Sequence, residues 1–115
     1  MLKKENRVTT RFQFNITRRF GAHYTARFFH LYVLEPRNYI GESQIGIVVS
    51  NKLAKSAVSR NKVKRRFRES IRNNFDKINP NLWLVFHPKH QSLVATYEEL
   101  NTDINQTLQK ISFTR

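Results

Sequence analysis

Between positions 52 and 72 the chain gathers nine of its 21 basic residues, Lys52, Lys55, Arg60, Lys62, Lys64, Arg65, Arg66, Arg68 and Arg72, with Glu69 as the one acid among them. Through the same stretch Val63, Phe67, Ile71 and Phe75 recur every four residues. This pairing constrains the fold strongly. The spacing predicts an amphipathic helix over about 56–75 whose apolar stripe must be buried, while its charges cannot follow the stripe inside. At about 100° per residue, Asn61, Lys64, Arg65, Arg68 and Arg72 fall within roughly a third of a turn, beside the stripe. Like charges at these spacings repel one another, and a phosphate-bearing partner relieves that repulsion. Arginine forks can grip phosphate oxygens bidentately, and the Asn61 amide can reach a base edge or a ribose hydroxyl.

The stripe needs a sheet to pack on, and three strands are readable. In 28–34 the odd positions Phe29, Leu31 and Val33 form a core face. Phe28, His30 and Tyr32 are read on the opposite face, where they either stack on unpaired bases or lie under a helix. Pro36, Asn38 and Gly41 mark a turn into a second strand over 45–50, for which a hairpin is the simplest connection. Asn79, Pro80 and Asn81 end the long helix before a third strand over 82–86, which Pro88 stops. A short strand near 6–8 is a further option.

Two more helices complete the pattern. One is expected over 11–20, with Thr10 as N-cap, Gln13 closing a capping box and Gly21 in a left-handed C′ position. Its Phe12, Ile16 and Phe20 form one stripe, and Phe14 and Arg18 lie on another face. The last helix begins at Thr96, whose capping box with Glu99 precedes Leu100, Ile104, Leu108 and Ile111 at helical spacing. The expected architecture is an α/β (α+β) two-layer sandwich, a mixed sheet covered by helices.

A chain of 115 residues suits one domain, and its 39% hydrophobic content argues for a packed body rather than a basic tail. A formal charge of +13 favours nucleic acid or an anionic membrane surface as partner. No apolar run approaches the ~18 residues of a membrane span, so no membrane role is expected. Residues 1–7 lack the pattern of a secretory signal, and the absence of Cys suits a reducing, cytoplasmic setting. Ser50, Ser56 and Ser59 have no His-Asp partners in an ordered motif. His87 and His90 flank Pro88 without Cys or acids nearby, which leaves a zinc site unsupported. Glu99 and Asp103 share a helix face and form a candidate Mg²⁺ pair, but the capping box and helix dipole already account for Glu98 and Glu99. A ribosomal-type RNA-binding module and a helix that reads duplex DNA are the competing classes. A protein-only metal nuclease would need an acidic cluster that the sequence lacks.

The run Ala57-Val58-Ser59-Arg60-Asn61-Lys62-Val63-Lys64-Arg65-Arg66-Phe67-Arg68-Glu69 closely resembles the arginine-rich helix of the bacterial ribonuclease P protein subunit. Asn6-Arg7-Val8, the helix ending at Gly21, the strand over 27–34, Gly46-Ile47-Val48-Val49-Ser50-Asn51-Lys52 and Thr96-Tyr97-Glu98-Glu99 resemble that family's other segments, in its order. Lys62 stands where Arg is common, a single Lys52 where two basic residues are usual, and Arg18 where a second aromatic is often found. The resemblance implies a sheet of about four strands with three helices and a left-handed βαβ crossover, the ribosomal protein S5 domain 2-like fold. It implies two partners, the catalytic ribonuclease P RNA and precursor tRNA, with no further protein partner required. Hydrolysis at the 5′ end of the mature tRNA would be carried by RNA-bound Mg²⁺, with no catalytic residue on the polypeptide. On this reading Lys52, Arg60, Asn61, Lys62, Lys64, Arg65, Arg68 and Arg72 contact the RNA subunit. Phe14, Arg18, Phe28, His30, Tyr32 and His87 contact the leader.

Overall fold

A computed structural model describes residues 6–111; residues 1–5, which include most of the stretch read as lacking a secretory signal, and 112–115 lie outside the described residues. The order of elements is α1 (Arg11–Phe20), β1 (Ala22–Thr25), β2 (Phe29–Leu34), β3 (Gln44–Ile47), α2 (Ala57–Asn73), β4 (Trp83–Pro88) and α3 (Tyr97–Gln109), with 3-10 turns at Phe75–Lys77 and His90–Leu93. The strands form one mixed sheet in the order β1-β2-β4-β3. The pairs β1–β2 and β2–β4 are antiparallel and β3–β4 is parallel. The expected hairpin between β2 and β3 is therefore not formed. β4 lies between them, because a buried apolar strand with two hydrogen-bonding edges displaces the merely local pairing. The segment near 6–8 contributes only a bridge, Arg7 beside Ile45, with Val8 N–H donating to the Ile45 carbonyl.

One face of the sheet carries the core. Phe29, Leu31 and Val33 of β2 and Leu84 and Phe86 of β4 meet Val63, Phe67 and Ile71 of α2 and Leu100, Ile104 and Leu108 of α3. Phe67 packs edge-on to Phe29 at 5.7 Å and to Phe86 at 6.2 Å. Ser56 caps α2 by accepting from the Ser59 N–H, and the Thr96/Glu99 box caps α3. The two helices are joined by polar contacts: Ser70 Oγ donates to Asn101 Oδ1 at 2.8 Å, and Asn74 Nδ2 donates to the same oxygen at 2.8 Å.

Of the three named α-helices, α1 is the one on the other face. The Thr10/Gln13 box starts it, although Phe12, Phe14 and Ile16 also alternate with polar residues as in a strand, and Gln13 Nε2 donates to Gln44 Oε1 of β3 at 2.6 Å. α1 then crosses the sheet from Gly46, where an added Cβ would stand 2.5 Å from the Phe14 ring, to Gly21, where one would stand 2.8 Å from the Val33 carbonyl oxygen. Gly21 is not left-handed as expected; its φ is −74° and ψ 159°, so the chain leaves the helix directly into β1. Glycine is required there for close approach instead, since a Cβ would also lie 2.5 Å from the Thr17 carbonyl oxygen. Because both obstacles are backbone atoms, Gly21→Ala is expected to cost about 1–3 kcal/mol. A urea unfolding midpoint indistinguishable from that of the parent would refute this account.

Candidate nucleic-acid interfaces

α2 turns its charges away from the core because Val63, Phe67 and Ile71 fix its rotation. Asn61, Arg65, Arg68 and Arg72 line a hollow of about 430 Å³ together with Glu69. Lys64, half-buried, is the neighbour of this group on the helix surface. Among the described residues, the side chains of Asn61, Lys64, Arg65, Arg68 and Arg72 have no hydrogen-bond or ion-pair partner. Their donors are thus free for phosphate, and one carboxylate in the hollow does not neutralise three guanidinium groups.

Arg60, Lys62 and Lys52 do not join that face. Arg60 turns back on the loop before α2, its Nη1 donating to the carbonyls of Ala54 at 2.8 Å and Lys55 at 2.7 Å. Its position in the first turn gives it reach to carbonyls that no helix satisfies. Lys62 points to the other side of the helix, into a hollow shared with Arg66 and Leu93. Lys52 lies in a depression of about 390 Å³ that also takes in His30, Val48, His87 and Lys89.

That depression belongs to the α1-facing side of the sheet. Alternation places His30 and Tyr32 of β2 and His87 of β4 on this side, and β1 adds His23. The His23 and Tyr32 rings stack with centroids 4.6 Å apart and planes 8° from parallel. His23 Nε2 and His30 Nδ1 share a hydrogen bond at 3.0 Å, and Tyr32 meets His87 edge-on at 5.3 Å. Burial pushes the His87 imidazole down to about 4, with Arg18 of α1 the next cause and His30 and His23 adding to it. His30 is lowered too, by burial first and then by Lys89 and His23. The result is a cleft of stackable rings, with His30 and His87 held toward their neutral forms, edged by Arg18, Lys52 and Lys89. Phe14 lies over Gly46 beside it, half-buried.

Phe28 is not in the cleft. It precedes β2, is 3% exposed within the core, and carries the Arg27 guanidinium 4.7 Å over its ring. The turn from Ala26 to Phe29 breaks the pleat, so strand parity does not extend back to it. Asp103 holds this turn, accepting from the N–H groups of Arg27 at 3.3 Å and Phe28 at 2.8 Å. Glu99 is engaged in its cap. His23 was missed because β1 was not read as a strand. The strand-favouring pair Tyr24-Thr25 just after Gly21 was the available signal.

Fold and faces together define a small, strongly basic α/β sandwich built around one outward-turned cationic helix. The Ribonuclease P family model matches residues 2–112. The "Ribonuclease P protein component" of Clostridium novyi (strain NT) is 33% identical over 109 residues, covering 95% of this chain and 96% of the relative. That of Clostridium botulinum (strain Loch Maree / Type A3) is 34% identical over 108 residues, covering 93% and 95%. The chain belongs to the ribonuclease P protein family. In fold it matches the RNase P proteins of Staphylococcus aureus, with TM-score 0.82 at 22% identity over 96% of this chain and 98% of the other. The match to the Thermotoga maritima protein has TM-score 0.81 at 24% identity, over 92% and 97%.

The depressed histidines make stability depend on pH. The folded state disfavours their protonated forms, so the unfolded chain binds more protons below about pH 6.5. Stability is full above that value and declines as the pH falls toward His87's value of about 4. The urea midpoint should begin to drop between about pH 6.5 and 5, before most carboxylates titrate. His87→Leu should flatten this drop, and a parental profile that is already flat there would contradict the assignment.

Proposed function

We propose that this chain is the protein subunit of ribonuclease P, assisting Mg²⁺-dependent removal of the 5′ leader from precursor tRNA. The observation that carries the proposal is the separation of two unlike faces on opposite sides of one sheet. The face on α2 is cationic and unpaired, suited to the dense phosphates of a folded RNA. The α1-side cleft is aromatic, nearly neutral and edged with cations, suited to a single strand whose bases stack while its phosphates meet Arg18, Lys52 and Lys89. In this reading Asn61, Lys64, Arg65, Arg68 and Arg72 dock on the catalytic RNA. His23, His30, Tyr32 and His87 hold the leader, with Phe14 at the margin. The metal ions would be held by the RNA and would supply activation of water and stabilisation of the leaving oxygen. The polypeptide screens phosphate repulsion and positions the substrate.

Arg60 and Lys62 then act differently from the docking set. Arg60 shapes the loop entering α2, and Lys62 stands on another side of the helix. Lys52 moves from the docking set to the leader cleft.

The decisive assay combines the protein with a bacterial ribonuclease P RNA and a precursor tRNA at low Mg²⁺. Stimulated 5′ cleavage is expected, and no stimulation at any protein ratio would overturn the proposal. Replacing Arg65 and Arg68 with Ala should weaken RNA-subunit binding and lower the dependence of log K on log salt by about 0.7–0.9 per lost phosphate contact. Tyr32→Ala should weaken precursor binding roughly fivefold or more while leaving RNA-subunit affinity intact. If the Arg pair changed neither affinity nor salt slope, α2 would not be the docking helix.

A further inference from the structure

On the far side of α1 from the histidine cleft lies a second, larger groove of about 770 Å³. Its walls are Phe12, Ile16 and Phe20 of α1, and Leu34, Tyr39 and Trp83 from the sheet and the loop after β2. Phe12 is 66% exposed and Phe20 65%, an unusual amount of aromatic surface for one face of one helix. The opposite wall is braced. The Tyr39 hydroxyl donates to the Glu42 carbonyl, and Gly41 and Asn81 exchange hydrogen bonds, Gly41 N–H to Asn81 Oδ1 and Asn81 N–H to the Gly41 carbonyl, both at 2.8 Å.

We propose that this groove holds an unpaired nucleobase of the single-stranded leader, as a second station beyond the histidine cleft. The inference rests on the leader reading above. Aromatic walls offer a stacking site that tolerates any base. The rim selects a polyanion: the Arg19 guanidinium lies 5.3 Å over the Phe20 ring, and Arg37 lines the groove, against Glu35 as the acid there. A second copy of the chain would bring another +13 to the same cationic rim, so self-association is opposed where an RNA strand is favoured. Position selects the leader over the RNA subunit. Leu34 and Trp83 are register partners on the α1 side of the sheet, which they share with His30, Tyr32 and His87. The docking face of α2 belongs to the opposite layer. Tyr32 and Leu34 are two residues apart on one strand, about 7 Å, with α1, about 10–12 Å across, standing between the two sites, so a strand of several nucleotides that passes over α1 meets both.

Trp83 is the chain's single tryptophan, so its emission reports directly on the groove. The test uses the full chain assembled with ribonuclease P RNA, and precursor tRNAs carrying leaders of about two or about ten nucleotides. The long leader should quench Trp83, and the short one should not. Phe12→Ser and Phe20→Ser, singly and together, should lower affinity for the long-leader substrate by roughly tenfold in the double variant. Affinities for the short-leader substrate and for the RNA subunit should be unchanged. Both side chains are largely exposed, and a urea midpoint for each variant verifies its fold. Should the double variant unfold, the single variants and the parental quench still decide. Unchanged long-leader affinity in the variants, or no quench in the parent, overturns the groove assignment while leaving the cleft intact. A dimer in sedimentation that these substitutions abolish would overturn it in favour of a second copy. If parental affinity ignores leader length and Tyr32→Ala has no effect, the leader reading itself fails, and the groove assignment with it.

Discussion

Phe67 decides how α2 can sit. It is fully buried, edge-on to Phe29 and Phe86, and with Val63 and Ile71 it fixes the rotation of the helix about its own axis. A rotation by one residue, about 100°, would carry arginines toward the sheet. The effective penalty for burying each unpaired charge is several kcal/mol. Stripe and charges therefore specify the same orientation from opposite sides. The contacts of Ser70 and Asn74 with Asn101 then key α2 to α3, leaving the side chains of the cationic face without a hydrogen-bond or ion-pair partner among the described residues.

The functional geometry of the second face follows from strand length. α1 runs across the strands from β3 to β2, and the six-residue strands β2 and β4 run about 20 Å, whereas a single helix with its side chains is about 10–12 Å across. α1 alone cannot cover that face. Gly46 and Gly21 let it lie close at both ends of its crossing, so it divides the sheet rather than floating above it. On one side the uncovered strip carries histidines and Tyr32, on the other Leu34 and Trp83. Two unlike surfaces arise from one helix laid across one sheet.

What was legible in the sequence was whatever is decided locally. The rotation of α2, the Thr10/Gln13 and Thr96/Glu99 capping boxes and the core faces of β2 and β4 all follow from spacing within a few residues. The strand order did not, since placing β4 between β2 and β3 depends on residues about forty to sixty positions apart that no local pattern links. β1 is four residues long and acquires its identity only by pairing with β2, which is also why His23 was missed. Gly21 was read by the habit of helix ends, while its actual constraint comes from the Val33 carbonyl on another element. Phe28 was assigned by parity one residue past the point where the pleat begins. Arg60 looked like its charged neighbours until the loop carbonyls it serves were in place.

The two faces also differ in the kind of charge they present. Guanidinium groups keep their charge at any physiological pH, so the α2 face is a permanent cation whose grip on phosphate is strong and salt-sensitive. In the cleft, burial and neighbouring cations hold His30 and His87 toward their neutral forms, and the charge is left to Arg18, Lys52 and Lys89 at the edges. A cleft filled with permanent charge would hold any RNA segment, the catalytic subunit included. Neutral rings that stack instead favour strands whose bases are already unpaired, because a duplex would first have to pay its own unstacking. On the proposed reading, this division keeps a protein of +13 from binding its large RNA partner through the wrong surface.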